Sequence, residues 1–158
     1  MWKYIARLNN KPVVENLLES TSPVFTVGTV SILSGIPGHS IRQYINEGLI
    51  IPFKKESDRH LFSQVDIFRL KFIHEQLNEH GLNFAGIRAI LALVPCWAIR
   101  SCSVKERNHC QAYYATTHPC WEASEKGREC RNTDCRQCDV YRIVEKHPDI
   151  KSLLRTLI

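Results

Sequence analysis

The placement of the cysteines constrains this chain more than any other feature. All seven lie between positions 96 and 138, at Cys96, Cys102, Cys110, Cys120, Cys130, Cys135 and Cys138, and the first 95 residues contain none. An odd number of thiols cannot all pair internally, so a complete disulfide framework is excluded. In a compartment that keeps thiols reduced, such confinement favours metal ligation. The change of composition at Pro95–Cys96 is therefore read as a domain boundary, with a cysteine-rich metal-binding domain over 95–141. A length of 158 residues leaves room for one further small domain.

That compartment is expected to be the cytoplasm. No stretch approaches the roughly 18 to 20 apolar residues of a membrane span, and Met1–Asn10 lacks the apolar core and cleavage site of a secretory signal. The net charge of +5 suits a polyanionic partner. Its distribution removes that support from the middle of the chain. Residues 25–80 carry six basic side chains (Arg42, Lys54, Lys55, Arg59, Arg69, Lys71) and six acidic ones (Glu47, Glu56, Asp58, Asp66, Glu75, Glu79). Any case for nucleic-acid binding must rest on pattern.

The pattern is sharp from residue 25 onward. Residues 1–24 form an extension with a short amphipathic piece at Val13–Leu18. Thr26 is a candidate N-cap for a helix with Val27, Val30 and Leu33 at helical spacing, stopped by Gly35. After the turn Ile36-Pro37-Gly38, a second helix is expected over His39–Glu47, with Ile41, Tyr44 and Ile45 on one face and Gly48 at its end. Leu49–Phe53 and Leu61–Phe62 flank the polar turn Lys54–Arg59 and predict a β-hairpin. Ser63, with Asp66 three residues on, opens a third helix whose apolar side is Val65, Phe68, Leu70, Phe72, Ile73 and Leu77, closed by His80-Gly81. A fourth helix runs from Asn83 to about Leu93 and stops at Pro95. The predicted class is mainly α: a winged helix-turn-helix of four helices and a small wing over 25–94, then the cysteine-rich domain, then an amphipathic helix over 142–158. In that last stretch Ile150, Leu153, Leu154 and Leu157 fall at i, i+3, i+4 and i+7.

The run Leu33-Ser34-Gly35-Ile36-Pro37-Gly38-His39-Ser40-Ile41-Arg42-Gln43-Tyr44-Ile45-Asn46-Glu47-Gly48-Leu49, with Arg59-His60-Leu61-Phe62-Ser63, Asp66-Ile67 and Leu70-Lys71-Phe72-Ile73, resembles the MerR family of transcription regulators. Side chains near the start of the second helix of such a domain reach base edges in the major groove. That assigns base reading to His39, Ser40 and Gln43. The resemblance implies a phosphate clamp at Arg42 and a phosphate-bonding hydroxyl at Tyr44. Lys54, Lys55, Arg59 and His60 on the wing would hold flanking phosphates. His39, His60 and Phe62 depart from the family's usual residues, with Arg59 standing next to His60. The resemblance further implies a homodimer on a palindromic site in double-stranded promoter DNA, bent and untwisted for RNA polymerase. The family's long coiled-coil helix is missing here; the chain meets Pro95 and then cysteines.

The unit Pro-Cys-Trp occurs twice, at 95–97 and 119–121, each followed by a later cysteine with an aromatic residue close behind (Tyr113, Tyr141). This reads as a degenerate duplication and resembles small Cys-Trp domains of bacterial proteins. Thiolates suit Zn²⁺ or iron–sulfur clusters. Cys130-x4-Cys135-x2-Cys138 has the spacing of three ligands of plant-type [2Fe–2S] proteins. Only Cys135/Cys138 forms the short hook that zinc sites usually show in pairs. An iron–sulfur cluster is the favoured cofactor. Zinc, completed by His109 or His118, and direct thiol or soft-metal sensing stay open. The metal would act either as a sensor or as a staple for a domain with little core. Arg128, Arg131 and Arg136 are candidates to offset thiolate charge.

No Ser-His-Asp arrangement, glycine-rich phosphate loop or paired-carboxylate motif points to an enzyme. The competing class is an iron–sulfur electron carrier or interaction protein that uses the winged helix without binding a promoter.

Overall fold

The computed structural model describes residues 20–147 and 149–157; the amphipathic piece at Val13–Leu18 lies outside them. Local capping chemistry sets the first elements. A two-residue strand β1 (Phe25–Thr26) leads into α1 (Val27–Ser34), where the Thr26 side chain accepts from the amide of Thr29 and Gly35 closes the helix at φ 74°. The second helix, α2 (Gly38–Asn46), starts one residue earlier than expected, directly after Pro37. Strands β2 (Phe53–Lys54) and β3 (His60–Phe62) form the wing. Helix α3 (Gln64–Asn78) begins with the expected capping box between Ser63 and Asp66, and α4 (Phe84–Ala92) is capped by Asn83.

Three expectations change here. The sheet has three strands in the order β1-β3-β2, because β1 pairs antiparallel with β3 (Phe25 opposite Phe62). Only the end of the segment 49–53 is strand: Leu49 and Ile50 are fully buried and turn inward as core residues, while Lys54 pairs with His60 across the ladder. Phe68 and Leu33, expected inside, are 44% and 49% exposed. Their helices bury one stripe each, and both residues fall at its edge.

The core gathers Val30, Ile36, Ile41, Tyr44, Leu49, Phe62, Leu70, Ile73 and Ile87 from all these elements. Each such side chain contributes about 1.5–3 kcal/mol by leaving water.

After Pro95 the chain breaks into one-turn pieces: α5 (Cys96–Ile99), α6 (Val104–Arg107), α7 (Gln111–Tyr114), α8 (Arg128–Arg131) and α9 (Ile143–Lys146), with 3-10 turns at Cys120–Glu122 and Cys135–Gln137. The expected single helix over 142–158 is two, α9 and then α10 (Ile150–Leu157). Leu153 of α10 packs with Val94, Val140 and Ile143 in a small second core. The compositional boundary is not a packing boundary. Trp121 and Val144 pack against the winged-helix core, and α9 lies along α3. No helix among the described residues is long and apolar enough to cross a membrane.

Candidate nucleic-acid interface and cysteine cavity

Helix α2 buries Ile41 and Tyr44, which leaves the positions between them facing outward. His39, Arg42 and Gln43 are exposed and Ser40 half-buried, so these four expected DNA contacts share one accessible face near the helix start. Tyr44 does not join them. It is 3% exposed, its hydroxyl lies 3.0 Å from His74 Nδ1, and its ring meets Phe84 edge-on at 6.0 Å. Its spacing from Ile41 points the phenol into the core, so the structure gives it a packing role in place of the expected phosphate contact. On the wing, Lys54, Lys55 and Arg59 are exposed and His60 is half-buried. Lys54 pairs with Asp58, which takes a left-handed φ of 61° at the wing tip.

The seven cysteines, spread over 43 positions of sequence from 96 to 138 inclusive, line one small cavity of about 40 Å³. Trp97, Tyr113, Trp121 and Tyr141 form its aromatic walls. All seven are free thiols. Burial pushes the Cys96 thiol up to about 11 and Cys120 up to about 12, and neighbouring thiolates add to both. The mutual influences group the sulfurs. Cys96 feels Cys110, Cys130 and Cys102, whereas Cys120 feels Cys96, Cys138 and Cys135. Cys130 feels Cys138 and also Cys110 and Cys102. The sequential run 130-135-138 is therefore not a self-contained set of neighbours. Cys130 sits between its own run and the first half of the segment.

Among the described residues, no three His, Cys, Asp or Glu side chains converge as a single-ion site. The thiols surround a space instead. A mononuclear zinc site at about 2.3 Å per sulfur needs convergence, whereas a polynuclear cluster holds its thiolates apart around an inorganic core. His109 and His118 do not line the cavity; His109 Nδ1 is 3.1 Å from the Lys105 carbonyl and His118 Nδ1 is 3.1 Å from the Thr117 hydroxyl. The expected cations are also different ones. Arg136 is held by Asp134 and lies over the Phe53 ring, while Arg128 and Arg131 point elsewhere. Arg100, Arg107 and Lys126 line the cavity in their place, with Lys126 Nζ 3.5 Å from Cys135 Sγ.

The duplicated motif has a structural counterpart. Trp97 packs edge-on against Tyr113 (5.0 Å, 75°) and Trp121 edge-on against Tyr141 (5.2 Å, 83°). Each Cys-Trp unit thus joins the tyrosine that follows a later cysteine of its own copy.

The second pair grips the winged helix. Arg69 of α3 is fully buried in the corner formed by the near-perpendicular rings of Trp121 and Tyr141, its guanidinium carbon 4.3 and 4.0 Å from the two ring centroids. Arg69 Nε donates to the Leu49 carbonyl at 2.7 Å and Nη1 to the Tyr141 carbonyl, while Nη2 is buried without a partner among the described residues. Trp121 Nε1 donates to the Gly48 carbonyl at 2.8 Å. The Ile51 amide donates to the Tyr141 hydroxyl at 2.9 Å, and that hydroxyl donates to Asp66 at 3.3 Å. Arg88 of α4 donates to the Glu47 carbonyl and pairs with Glu122. Residues 47–51, which connect α2 to the wing, are thus tied to the cysteine segment directly at Gly48 and Ile51, and through Arg88 and Arg69 at Glu47 and Leu49. Sequence reasoning missed this set. Its one signal was Arg69, a charge at i+4 from Val65 and i−4 from Ile73 on the apolar face of α3.

Comparison with known proteins agrees with the winged half. The family described as MerR HTH family regulatory protein matches residues 25–93. The chain is similar to the HTH-type transcriptional regulator GlnR of Bacillus anthracis and to that of Bacillus cereus, each 34% identical over 73 residues, which is 46% of this chain and 56% of the relative. It is also similar to the putative heat shock protein HspR of Streptomyces coelicolor, 30% identical over 76 residues, covering 48% of this chain and 50% of that protein. The chain spans about half the length of these relatives, and the family match ends at residue 93, before the first cysteine. Residues 25–93 thus carry the sequence pattern of the MerR helix-turn-helix family.

Proposed function

We propose that the chain is a sequence-specific DNA-binding transcription regulator of the MerR type whose cysteine cavity holds an iron–sulfur cluster and acts as its sensor. The observation that carries this reading is that all seven thiols line one cavity whose wall residues Trp121 and Tyr141 also hold the segment joining the DNA-reading helix to the wing. A structural staple alone does not require that shared wall. His39, Ser40 and Gln43 would read bases, and Arg42, Lys55 and Arg59 would hold phosphates of double-stranded promoter DNA. Two chains would occupy a palindromic site at a promoter used by RNA polymerase, in the cytoplasm.

Cys96, Cys102, Cys110, Cys120, Cys130, Cys135 and Cys138 supply the thiolates, more than one four-ligand cluster consumes. When bound, such a cluster supplies a centre whose charge changes with its redox state. The chain's own contribution is a largely apolar, aromatic-walled site with Lys126, Arg100 and Arg107 close by to balance thiolate charge.

The test has two arms. Protein purified without oxygen is expected to be brown, with visible absorption, iron and acid-labile sulfide; a colourless protein with stoichiometric zinc refutes the cofactor. A DNA sequence selected by the protein from a random pool is expected to show a palindrome and a binding constant that falls steeply with salt. A cluster-bearing protein that selects no DNA would instead be an electron carrier on a borrowed fold.

A further inference from the structure

We infer that Arg69 is the relay through which the state of the cysteine cavity reaches the DNA-reading helix. This rests on the sensor reading above and specifies how the site is read out.

One side chain touches both ends of the path. On the cavity side Arg69 lies in the corner between the near-perpendicular rings of Trp121 and Tyr141 and donates to the Tyr141 backbone. Trp121 is the residue after Cys120, Tyr141 is three after Cys138, and all four line the cavity. A movement of either cysteine to accommodate a bound centre shifts one wall of that corner. On the DNA side Arg69 Nε holds the Leu49 carbonyl, two residues beyond the C-cap of α2. The same two aromatic residues reach the neighbouring backbone directly, Trp121 at Gly48 and Tyr141 at Ile51. The turn is mechanically sensitive, since Gly48 stands at φ 70° and Leu49 is fully buried, so small shifts there rotate α2 against the wing.

Two properties of Arg69 suit it to a relay more than to a simple core contact. Its charge is fully buried, with one carboxylate in the vicinity, Asp66, which is itself bonded to Ser63 and Tyr141. Its Nη2 has hydrogens and, among the described residues, no partner. A buried guanidinium with an open donor is poorly satisfied in this arrangement, and a change in the charge or position of the nearby sulfurs alters its balance. An aliphatic residue of similar volume would pack there at lower cost.

The experiment compares full-length protein loaded with ferrous iron and sulfide against metal-free protein. Binding is measured to the DNA sequence selected by the wild type. The wild type is expected to differ between the two states by tenfold or more in affinity, or by a clear change in the DNA unwinding that it produces. Arg69→Lys, which keeps the charge and loses the planar guanidinium against the two rings, is expected to take up the same iron and show the same visible spectrum while its two states differ by less than about twofold. A variant that retains the full wild-type difference overturns the relay. Hydrogen exchange on the wild type gives a readout that needs no variant. Amides of 47–51 are expected to change in exchange rate at least fivefold on loading, while those of the α1–α2 turn stay constant; unchanged amides at 47–51 overturn the proposal. Wild-type protein that takes up no iron and sulfide refutes the cofactor reading instead, a result separable from failure of the relay in protein that does load.

Discussion

The indole Nε1 of Trp121 donates to the carbonyl of Gly48 at 2.8 Å, across 73 residues of sequence. The residue after a cavity cysteine therefore ends on the turn that closes α2. That turn admits little else. A Cβ on Gly48 would stand 2.0 Å from Glu122 Oε1, and Glu122 is held in place by Arg88.

Gly48→Ala is expected to destabilise the protein by about 1–2 kcal/mol from the left-handed backbone alone, with more lost if the Arg88–Glu122 pair is displaced. Urea unfolding should show a lower midpoint at unchanged slope. A midpoint equal to that of the wild type would mean that the turn can relax to an ordinary φ.

Trp121→Phe keeps an aromatic face over Arg69 and removes the single donor to Gly48. The expected loss is about 1 kcal/mol, the usual net value of one such bond. Hydrogen exchange should show its local share at 47–51, and a loss spread evenly over the winged helix would argue against the bond.

Arg42 and Tyr44, two positions apart on α2, should behave oppositely. Arg42→Ala is expected to weaken DNA binding and to reduce the salt slope by about one counterion. Tyr44→Phe removes a hydroxyl bonded to His74 inside the protein and is expected to change DNA affinity less than about twofold while lowering thermal stability. Fluorescence anisotropy at several salt concentrations separates the two; a reduced salt slope for Tyr44→Phe would restore its phosphate contact.

Metal-free protein should carry unreactive thiols at Cys96 and Cys120. With Cys96 raised from 9.0 to about 11 by burial, its thiolate fraction at pH 8 falls roughly a hundredfold, and alkylation should slow in proportion. The folded state holds these protons more tightly than the unfolded chain does. Their contribution to stability is therefore full below about pH 9 and is lost as pH rises toward 11. Urea midpoints of metal-free protein at pH 8 and pH 10 check the sign, and a midpoint that rises with pH would contradict it. Metal uptake, which must remove those protons, should strengthen over the same interval.

Much of the winged half was legible because its signals are local. Thr26, Ser63 with Asp66, and Asn83 each cap a helix through a side chain bonding an amide three residues on, and such bonds depend only on neighbours in sequence. Strand β1 was not legible, since two residues carry no periodicity and pair only once β3 is in place. The cations beside the cysteines were misassigned for a related reason. Arg136 is adjacent to Cys135 in sequence, but local bonds to Asp134 hold it and Phe53 lies beneath it, whereas Lys126, nine residues away, reaches the sulfur.

Short windows of sequence were enough for the order of helices and wing, the capped ends, the inward and outward faces of α2, and the gathering of thiols into one segment, because periodicity, caps and cysteine count are local properties. Tertiary packing alone put the seven thiols around one cavity, bonded the Tyr44 hydroxyl to His74, and buried Arg69 against the rings of Trp121 and Tyr141. Those outcomes depend on which surfaces pack together over separations of 30 to 90 residues. Burial of a charge or a phenol is a property of that packing, since it depends on what covers the group and not on its neighbours along the chain.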